Sequence, residues 1–581
     1  MRPLTSCFPA LEWGRRYSWP TFLSDGMAAV VVTMMLIPQA LAYAMLAGLP
    51  PVVGLYASIL PMVVYALFGS SSTMSVGPVA IVSLLTATAA GAVAPAGSAA
   101  YLTAALTLAL LSGLMLVTMS IFRLGFVTNL LSHPVISGLI TGSALLISAG
   151  QLKHILGVEA HGQTLIEVVH SLLRSLPQSN FPSLFLGATA IVFLFWSRAK
   201  MRALLQHLGV PAGAAVVIAR SGPVLAVTAS ILIVIWLDLS SRGVAVVGNI
   251  PQGLPPLSLP ALDLTTWRML LPAAFLISII GFVESVSVAQ TLAAKRRQSI
   301  RPDRELMGLG MANLAAAFTG GYPVSGGLAR SVVNFDAGAQ TPAAGIYTAL
   351  GIALASVFLT PVLFYLPIAV LAATIIVAVM SLADFGALRR TWIYSRFDFS
   401  SLAATLVFTL ALGVEKGILI GIAISVLLHL WRSSRPHVAV LGQVPGTHHF
   451  RNVLRHDVVC VPDVLSLRID ESLFFGNARA IEDVIQQAVA DRPQVRHVVL
   501  NCAAVNGIDA SALESLELIM HRLEDASIRL HLSEVKGPVM DRLGSTDFLC
   551  HLSGNVFLSH HAALEALAPA STRAAGAGKL A

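Results

Sequence analysis

Long stretches without a charged side chain constrain this sequence more than any other feature. No Asp, Glu, Lys or Arg occurs from Gly26 to Phe122, and none occurs from Ala337 to Ala383. A helix that crosses the bilayer core needs about 20 mainly apolar residues, so the first stretch alone can hold four crossings. Charged residues make up 11% of the chain, against roughly 25% in soluble proteins. The chain is therefore predicted to be an α-helical integral membrane protein.

Fourteen apolar segments can be counted along the chain. The third and tenth are short and interrupted by Gly or Pro, and they are seven segments apart. Broken segments in matching positions are typical of transporters built from inverted repeats, with a binding site near the bilayer midplane. The stretch Pro211 to Ala219 could belong to the sixth or the seventh segment, or be re-entrant. The segment centres lie at about residues 35, 60, 85, 111, 140, 190, 228, 280, 312, 330, 352, 374, 406 and 423.

Basic residues predict the orientation of these segments. They cluster after even-numbered segments, on the same side as the basic N-terminus, and this side is predicted to be cytoplasmic. The net charge of +7 comes with no basic patch interleaved with aromatic residues, so nucleic-acid binding is not expected. The clusters are Arg198, Lys200 and Arg202; Lys295, Arg296, Arg297, Arg301 and Arg304; Arg389, Arg390 and Arg396; and Arg432 and Arg435.

The composition changes after Arg435, where charge density becomes ordinary and strand and helix patterns alternate. We predict strands at 458–469, 497–502 and 528–532 and helices at 477–490 and 510–524, which together indicate a small α/β domain. The expected organisation is an N-terminal cytoplasmic segment (1–20), a membrane domain (21–436), the α/β domain (437–568) and a disordered tail (569–581). No phosphate-binding loop, metal-ligand spacing or nucleophile–base constellation is recognisable, so neither an enzyme nor a cofactor is expected.

One carboxylate, Glu284, lies inside the apolar stretch from Met269 to Thr291. An ionised group at membrane depth costs roughly 2.5–3.5 kcal/mol on insertion scales. A carboxylate retained there needs a partner, a proton or a path to water, so Glu284 is a candidate proton-coupling residue. The structural alternative is a static pair with Arg330 or with the basic cluster that follows the segment.

Polar and small residues in three other segments predict a binding site. Gln39 and Tyr43 lie four residues apart on one face of the first segment. The third and tenth segments each open with a proline and small residues, so each helix can start in mid-membrane and present free N–H groups to an anion. Two ordinary loops are the alternative. The predicted substrate-binding residues are Gln39, Tyr43, Ser75, Gly77, Val79, Ala80, Ser325, Gly327, Ala329, Arg330 and Ser331.

Taken together, these motifs resemble the SulP (sulfate permease) family of anion transporters. The resemblance covers about residues 10 to 566, and the soluble part resembles the family's C-terminal STAS domain. The membrane blocks that carry it are Pro38 to Ala44, Ser75 to Ala80, Glu284 to Ala289, Glu305 to Asn313 and Gly320 to Gly345, and the soluble blocks are Glu471 to Ala478 and Gly507 to Leu516.

The resemblance implies fourteen transmembrane segments in 7+7 inverted repeats, divided into core and gate domains, with an anion held between the third and tenth helices. It also implies an elevator-like movement of the core and a homodimer. Family members with Glu at the position of Glu284 are associated with proton symport. Many relatives have serine where this chain has Ala329, and some dicarboxylate-transporting relatives share the alanine.

In the STAS part, the resemblance to anti-sigma-factor antagonists makes Ser511 a candidate phosphorylation site, because added negative charge is favoured at a helix N-terminus. Asp509 is an alternative N-cap for the same helix, and Ala512 stands where the family has glycine.

The expected function is secondary active uptake of an inorganic anion, with sulfate favoured and protons as the coupling ion, across the cell's inner (plasma) membrane. The N-terminus and the STAS domain are expected in the cytoplasm. The expected partners are the anion, H⁺, the lipid bilayer, a second copy of the chain and a soluble protein at the STAS domain. A bicarbonate or C4-dicarboxylate symporter, an anion channel and a regulatory hub acting through the STAS domain remain open alternatives.

Overall fold

The structure is a computed structural model that describes residues 10–15, 17–129, 132–211, 215, 218–219, 221–249 and 251–576. Most of the predicted N-terminal segment and part of the ambiguous stretch from Pro211 to Ala219 therefore lie outside the described residues. The contacts divide the chain into two compact units, with the division after Ser425.

Each of the fourteen predicted apolar segments coincides with a helix of the first unit or its C-terminal extension. Among the described residues, eight helices are long and apolar enough to cross a membrane, and three shorter apolar helices accompany them. The helices are α1 (Ala10–Gly14), α2 (Trp19–Leu46), α3 (Pro51–Tyr56), α4 (Leu60–Phe68), α5 (Ala80–Gly91), α6 (Ala99–Ile121), α7 (His133–Leu156), α8 (Leu165–Ser175), α9 (Phe181–Trp196), α10 (Arg202–His207), α11 (Gly222–Trp236), α12 (Leu264–Lys295), α13 (Pro302–Phe318), α14 (Leu328–Asp336), α15 (Ala343–Phe358), α16 (Thr360–Leu363), α17 (Ile368–Met380), α18 (Phe385–Tyr394), α19 (Arg396–Leu412) and α20 (Val414–Ser433), with 3₁₀ turns at Leu124–Asn129 and Leu176–Gln178 and a π-helical turn at Ser197–Met201.

The helices of the first unit pack as two bundles. In the first bundle, α2 to α6 pack with α12 to α15; in the second, α7 and α9 pack with α17 and α19. Helix α2 belongs to the first bundle but also contacts α11 and α17 of the second. The two bundles correspond to the core and gate domains that the family resemblance implies.

The third and tenth segments are interrupted, as the sequence predicts. Helix α5 has 12 residues and α14 has 9, and each is preceded by a short extended stretch. These stretches, β1 (Val76–Gly77) and β2 (Ser325–Gly326), pair antiparallel with Val76 opposite Gly326 and Gly77 opposite Ser325. One half of the membrane domain supplies each strand, so the two broken helices start from a single shared element.

Two buried carboxylates fasten loops of one half of the first bundle to helices of the other. Glu305 of α13 accepts hydrogen bonds from the Tyr65 hydroxyl (2.6 Å), the Ser70 N–H (2.9 Å), the Ser70 hydroxyl (2.6 Å) and the Ser71 N–H (3.0 Å). Asp25 of α2 accepts from the N–H groups that follow α14, at Gln340 (2.6 Å) and Thr341 (3.2 Å). Both side chains are fully buried. Each caps otherwise unpaired loop amides, which would be costly to bury without a partner.

The second unit contains a six-stranded sheet in the order β4-β3-β5-β6-β7-β8. The last four strands are parallel, and β3 pairs antiparallel with both β4 and β5. The elements are β3 (Val438–Gln443), β4 (Phe450–Asn452), β5 (Val464–Ile469), α21 (Ala478–Ala490), β6 (His497–Asn501), α22 (Ala510–Asp525), β7 (Arg529–Ser533), α23 (Gly537–Gly544), α24 (Phe548–His551), β8 (Val556–Phe557), α25 (His560–Leu567) and α26 (Pro569–Gly576).

Two predictions for this unit are wrong in part. The strand expected at 458–469 begins only at Val464, because Pro462 cannot donate to a ladder and lies in the turn before it. The tail expected to be disordered from residue 569 is helical in α26. Thr572 anchors it, with a buried side chain whose hydroxyl donates to the carbonyls of Leu564 (3.0 Å) and Ala568 (2.9 Å). Residues 577–581 lie outside the described part of the chain.

Candidate functional site

The paired strands hold the starts of α5 and α14 together in the interior of the first bundle. The Ser75 N–H donates to the Ser331 hydroxyl at 3.0 Å, and the Gly327 N–H donates to the Ser75 carbonyl at 3.2 Å. Both bonds cross between the two halves of the membrane domain. They leave the Ser75 hydroxyl buried and without a partner among the described residues.

The helix starts themselves present unpaired donors. No acceptor among the described residues bonds the N–H groups of Ala80 and Ile81 on α5, or those of Leu328 and Ala329 on α14. The first N–H groups of any helix lack an intrahelical acceptor and carry the positive end of the helix dipole. Two such starts side by side form a region where an anion is favoured.

Arg330, in the first turn of α14, adds a full positive charge beside these helix starts. Arg330 is 1% exposed, which makes it the largest fully buried side chain in the described part of the protein. One guanidinium nitrogen, Nη2, donates to the Ser325 carbonyl at 3.4 Å, whereas Nη1 is buried without a partner. A Cβ added at Gly77 would lie 3.0 Å from Nη1, and one added at Gly327 would lie 2.8 Å from Nε. Glycine at both positions therefore allows the guanidinium to pack against the two backbones.

Hydrogen bonds to α12 and α13 hold β2 in position. The Ser325 hydroxyl donates to the Gly281 carbonyl of α12 at 2.8 Å, and the Gly326 N–H donates to the Ser285 hydroxyl at 2.8 Å. Asn313 of α13 bonds both backbone groups of Val324, at 2.9 and 3.0 Å. The position of the α14 start is thus determined by α12 and α13.

Gln39 and Tyr43 form a pair on α2, in which the Gln39 amide donates to the Tyr43 hydroxyl at 2.9 Å. Gln39 also lines a cavity of about 360 Å³ between the two bundles, together with Ala329 at the start of α14. The cavity walls are Met35, Pro38, Gln39, Leu194, Ser197, Arg198, Arg202, Ala219, Pro223, Ala329, Val333, Thr374, Ala378 and Ser381.

Glu284 lies apart from this cavity. Its Oε2 is buried without a hydrogen-bond partner, and no basic nitrogen of the described residues lies within the 4.0 Å of an ion pair. A static pair with Arg330 is therefore not observed. The carboxylate borders a narrow apolar cleft where the first bundle meets the second, lined by Ile81, Ile136, Leu139, Ile140, Ile280, Val283 and Ile418.

The predicted binding residues divide into three groups. Ser75, Gly77, Val79 and Ala80 meet the residues from Ser325 to Ser331 at the paired strands, whereas Gln39 and Tyr43 stand on the neighbouring α2. Glu284 lies on α12, in the cleft that Ile81 at the start of α5 also borders. The N–H of Gly327, one of the predicted binding residues, is not free for an anion, because it joins the strands. The hydroxyls of Ser325 and Ser331 also hold the site together.

Ser511, the candidate phosphorylation site, is exposed near the start of α22 in the second unit. Asp509 is the N-cap of that helix, and its carboxylate accepts from the Ala512 N–H at 2.8 Å and from the Phe475 N–H at 2.8 Å. The Ser511 hydroxyl is therefore not needed as a cap.

Sequence reasoning missed the roles of Asn313, Arg198 and Asp25. Asn313 and Asp25 are polar side chains within or beside apolar helical segments, and that isolation is a signal like the one at Glu284. Arg198 was interpreted only as a charge at the end of a segment. Nothing in its local sequence distinguishes it from Lys200, which follows two residues later and does not line the cavity.

Both units of the chain match known protein families. The sequence profile of the Sulfate permease family matches residues 22–405, and that of the STAS domain matches residues 455–563. The chain is 34% identical to Sulfate transporter 4.1, chloroplastic, of Arabidopsis thaliana over 543 residues, covering 91% of this chain and 78% of that protein. It is 31% identical to Sulfate transporter 1.2 of the same plant over 587 residues, covering 98% of this chain and 89% of the relative.

Solved structures share the fold. The structure of SLC26A9 superposes with a TM-score of 0.87 at 22% identity, covering 98% of this chain and 94% of the other. The transmembrane domain of the cyanobacterial bicarbonate transporter BicA superposes with a TM-score of 0.60 at 19% identity, covering 71% of this chain and 98% of that domain.

Proposed function

Because the chain belongs to the sulfate permease family, we propose that it is a secondary active transporter that takes up an inorganic anion, with sulfate as the favoured substrate and protons as the coupling ion. The observation that carries the proposal is the pair of short helices that start from one shared strand element above a buried arginine. Nothing in that arrangement favours a cation, whereas unpaired N–H groups and a guanidinium favour an anion.

The anion would bind at the unpaired N–H groups of Ala80, Ile81, Leu328 and Ala329, with the Ser75 hydroxyl as a further donor and Gln39 and Tyr43 closing the site from α2. Arg330 would stabilise the bound anion through its positive charge. Except for Arg330 these donors are neutral, so the site is suited to several oxyanions and gains specificity from size and geometry.

Glu284 would carry the coupled proton. Its carboxylate borders an apolar cleft between the bundles, and one oxygen has no described partner. A charged group buried without a partner is costly, whereas a protonated carboxyl is neutral. Protonation would therefore let the first bundle move past the second with Glu284 in the interface, and would offset the charge of the anion that travels with it.

An elevator-like movement of the first bundle against the second is consistent with this division of labour. The binding groups and the proton carrier all belong to the first bundle, and its internal bonds cross between both halves of the membrane domain. We propose that the second bundle provides the fixed surface and the contact between two copies in a homodimer, by analogy with the family.

The positions of the basic clusters support a plasma-membrane orientation with the N-terminus and the STAS domain in the cytoplasm. In that compartment the exposed Ser511 is accessible to a kinase, and a phosphate there would lie near the N-terminus of α22, where negative charge is stabilised. A soluble protein that reads this end of the STAS domain would be the partner.

Ala329 favours one alternative, a carrier of bicarbonate or a C4-dicarboxylate. Its methyl group lines the cavity at the start of α14, where a serine would offer the anion a hydroxyl. A substrate that needs fewer hydrogen-bond donors than sulfate would lose less binding affinity from having alanine in place of serine at this position.

Uptake of labelled sulfate into proteoliposomes tests the proposal directly. We expect uptake to be stimulated by an acidic exterior, to be competed by selenate, and to show accelerated counterflow against internal sulfate, which a channel does not show. Competition by bicarbonate or succinate that exceeds competition by unlabelled sulfate would establish the alternative. Absence of uptake of any of these anions by correctly folded protein would refute the proposed function.

A further inference from the structure

We propose that Arg198 is a second anion contact, located on the second bundle and lining the cavity that connects the paired helix starts with one side of the membrane. The inference rests on the proposed anion transport and assigns a binding role to a residue outside the paired-strand site. Its ligand is a small oxyanion such as sulfate.

The charge balance of the cavity is the first reason. Its lining contains two cationic side chains, Arg198 and Arg202, and no carboxylate among the described residues. A second cavity of about 290 Å³ farther along α2, beside Met45 and Leu46, mixes Lys153 and Lys416 with Glu415. The first cavity therefore keeps an uncompensated positive charge, which attracts an anion and raises its local concentration.

The position of the guanidinium is the second reason. Arg198 lies on the π-helical turn Ser197–Met201, and such turns often occur at functional sites. The side chain is exposed, and its Nη1 donates to the Val377 carbonyl of α17 at 2.7 Å, which ties the guanidinium to the second bundle. Its other N–H groups have no acceptor among the described residues. The charge is close enough to Tyr43 for the two groups to interact electrostatically.

The contrast with Arg330 is the third reason. Arg330 is enclosed by the first bundle and does not line the cavity, so an anion that leaves or enters the site through the cavity passes Arg198. The cavity is bounded by the end of α9, the start of α11 and the end of α17, on the side predicted to be cytoplasmic. Because Arg198 belongs to the other bundle, the anion leaves it behind when the first bundle moves. The contact should therefore affect affinity on one side of the membrane only.

The test compares Arg198→Gln with Lys200→Gln, which removes the same charge from the same turn. Both residues are exposed, but only Arg198 lines the cavity. Sulfate transport would be measured in inside-out and right-side-out vesicles of known orientation. For Arg198→Gln we expect KM to rise about tenfold or more on the cavity side, which is the effect of losing one hydrogen bond to a charged group. KM on the opposite side should stay within about twofold, as should both KM values of Lys200→Gln.

Arg198→Lys separates a charge effect from a structural one. It retains the cation but cannot reproduce the planar guanidinium bond to Val377. We expect it to recover at least half of the lost affinity, and we expect KM on the cavity side to depend less on salt in Arg198→Gln than in the wild type. Equal KM values for Arg198→Gln and wild type on both sides would overturn the inference while leaving anion transport intact. A loss that is equal on both sides and not recovered by Lys would also overturn it. A wild-type protein that transports none of the anions would instead refute the proposed function.

Discussion

The guanidinium of Arg330 lies directly against the α-carbon of Gly77, so that a side chain at Gly77 would begin 3.0 Å from Nη1. The two residues come from opposite halves of the membrane domain: Gly77 lies in the strand before α5, and Arg330 lies in the first turn of α14. The buried charge is therefore positioned by the absence of a side chain on the other half. Gly77 therefore helps to set the position of the arginine.

Gly77→Ala should impair transport without unfolding the protein. The added methyl group would lie 3.0 Å from Nη1, so the guanidinium or the strand pairing must shift by a few tenths of an ångström, and the packing of Arg330 against Gly327 limits where the guanidinium can go. We expect sulfate affinity to fall at least fivefold, which corresponds to about 1 kcal/mol. Gly91→Ala at the far end of α5 is the matched control, since a Cβ there meets nothing within 4 Å. Equal transport by the two variants would contradict this account of Gly77.

Arg330→Ala should weaken anion binding sharply, by tenfold or more, because it removes the only full charge buried beneath the helix starts among the described residues. Binding of labelled sulfate to purified protein measures this without requiring transport. The sulfate affinity of Arg330→Lys should lie between those of the wild type and Arg330→Ala, since lysine retains the charge but lacks the planar group that bonds the Ser325 carbonyl. Wild-type affinity in the alanine variant would exclude Arg330 from the site.

Glu284→Gln should abolish acid-stimulated uptake and leave anion binding in place. The amide is neutral at every pH, so the variant cannot bind or release a coupling proton, but it keeps the size of the side chain. Uptake at several external pH values, compared with equilibrium exchange at one pH, measures the two properties separately. Glu159→Gln, at an exposed carboxylate, is the control and should keep its pH dependence. Unchanged acid stimulation in Glu284→Gln would refute the coupling role.

Glu305→Ala should destabilise the membrane domain. It removes the acceptor of the Ser70 and Ser71 N–H groups and of the Tyr65 and Ser70 hydroxyls. Each of these groups that is buried and left unsatisfied costs about 1–3 kcal/mol. We expect a clearly lower melting temperature in detergent. Glu305→Gln should lose less, because its amide oxygen can still accept. A melting temperature unchanged by Ala would show that the Ser70–Ser71 loop does not depend on this carboxylate.

The STAS domain should lose stability in mild acid. Burial lowers the pKa of His531 and of His560 to about 4, from an ordinary value of 6.5. The unfolded chain therefore binds protons at a higher pH than the folded domain does, so stability is complete above pH 7 and falls as the pH drops from 6.5 toward 4. The two groups together should remove up to about 3 kcal/mol by pH 5.5. Urea unfolding of residues 436–576, followed by circular dichroism, measures the slope, and replacing the exposed His456 by Gln should not change it.

The architecture could be predicted because its signals are local. Charge-free stretches mark apolar helices, and the proline and small residues before Ala80 and Leu328 mark late helix starts. The inverted arrangement follows from counting the segments between these two breaks. The alternation of strands and helices after Arg435 likewise predicts an α/β domain.

The bonding inside the site could not be predicted, because it depends on contacts between distant residues. Sequence reasoning treated Gly327, Ser325 and Ser331 as free donors, whereas the structure uses them to join the two halves. It also could not separate Arg198 from Lys200, since only the packing of α9 against α17 turns one of them toward the cavity. The helix at 569–576 was missed for the same reason, because the buried position of Thr572 is created by α25.

The reach of Asp25 across the chain has a consequence for biosynthesis. The first backbone amide that donates to its carboxylate, that of Gln340, lies 315 residues later. At about 5–20 residues per second, a ribosome needs roughly a quarter of a minute to a minute to reach it. Throughout that interval the nascent first span holds a carboxylate that has the Tyr17 hydroxyl nearby but lacks the donors of Gln340 and Thr341. The translocon or an insertase must therefore shelter an unfinished bundle, and a chain that stalls before residue 340 should be a ready substrate for membrane proteases.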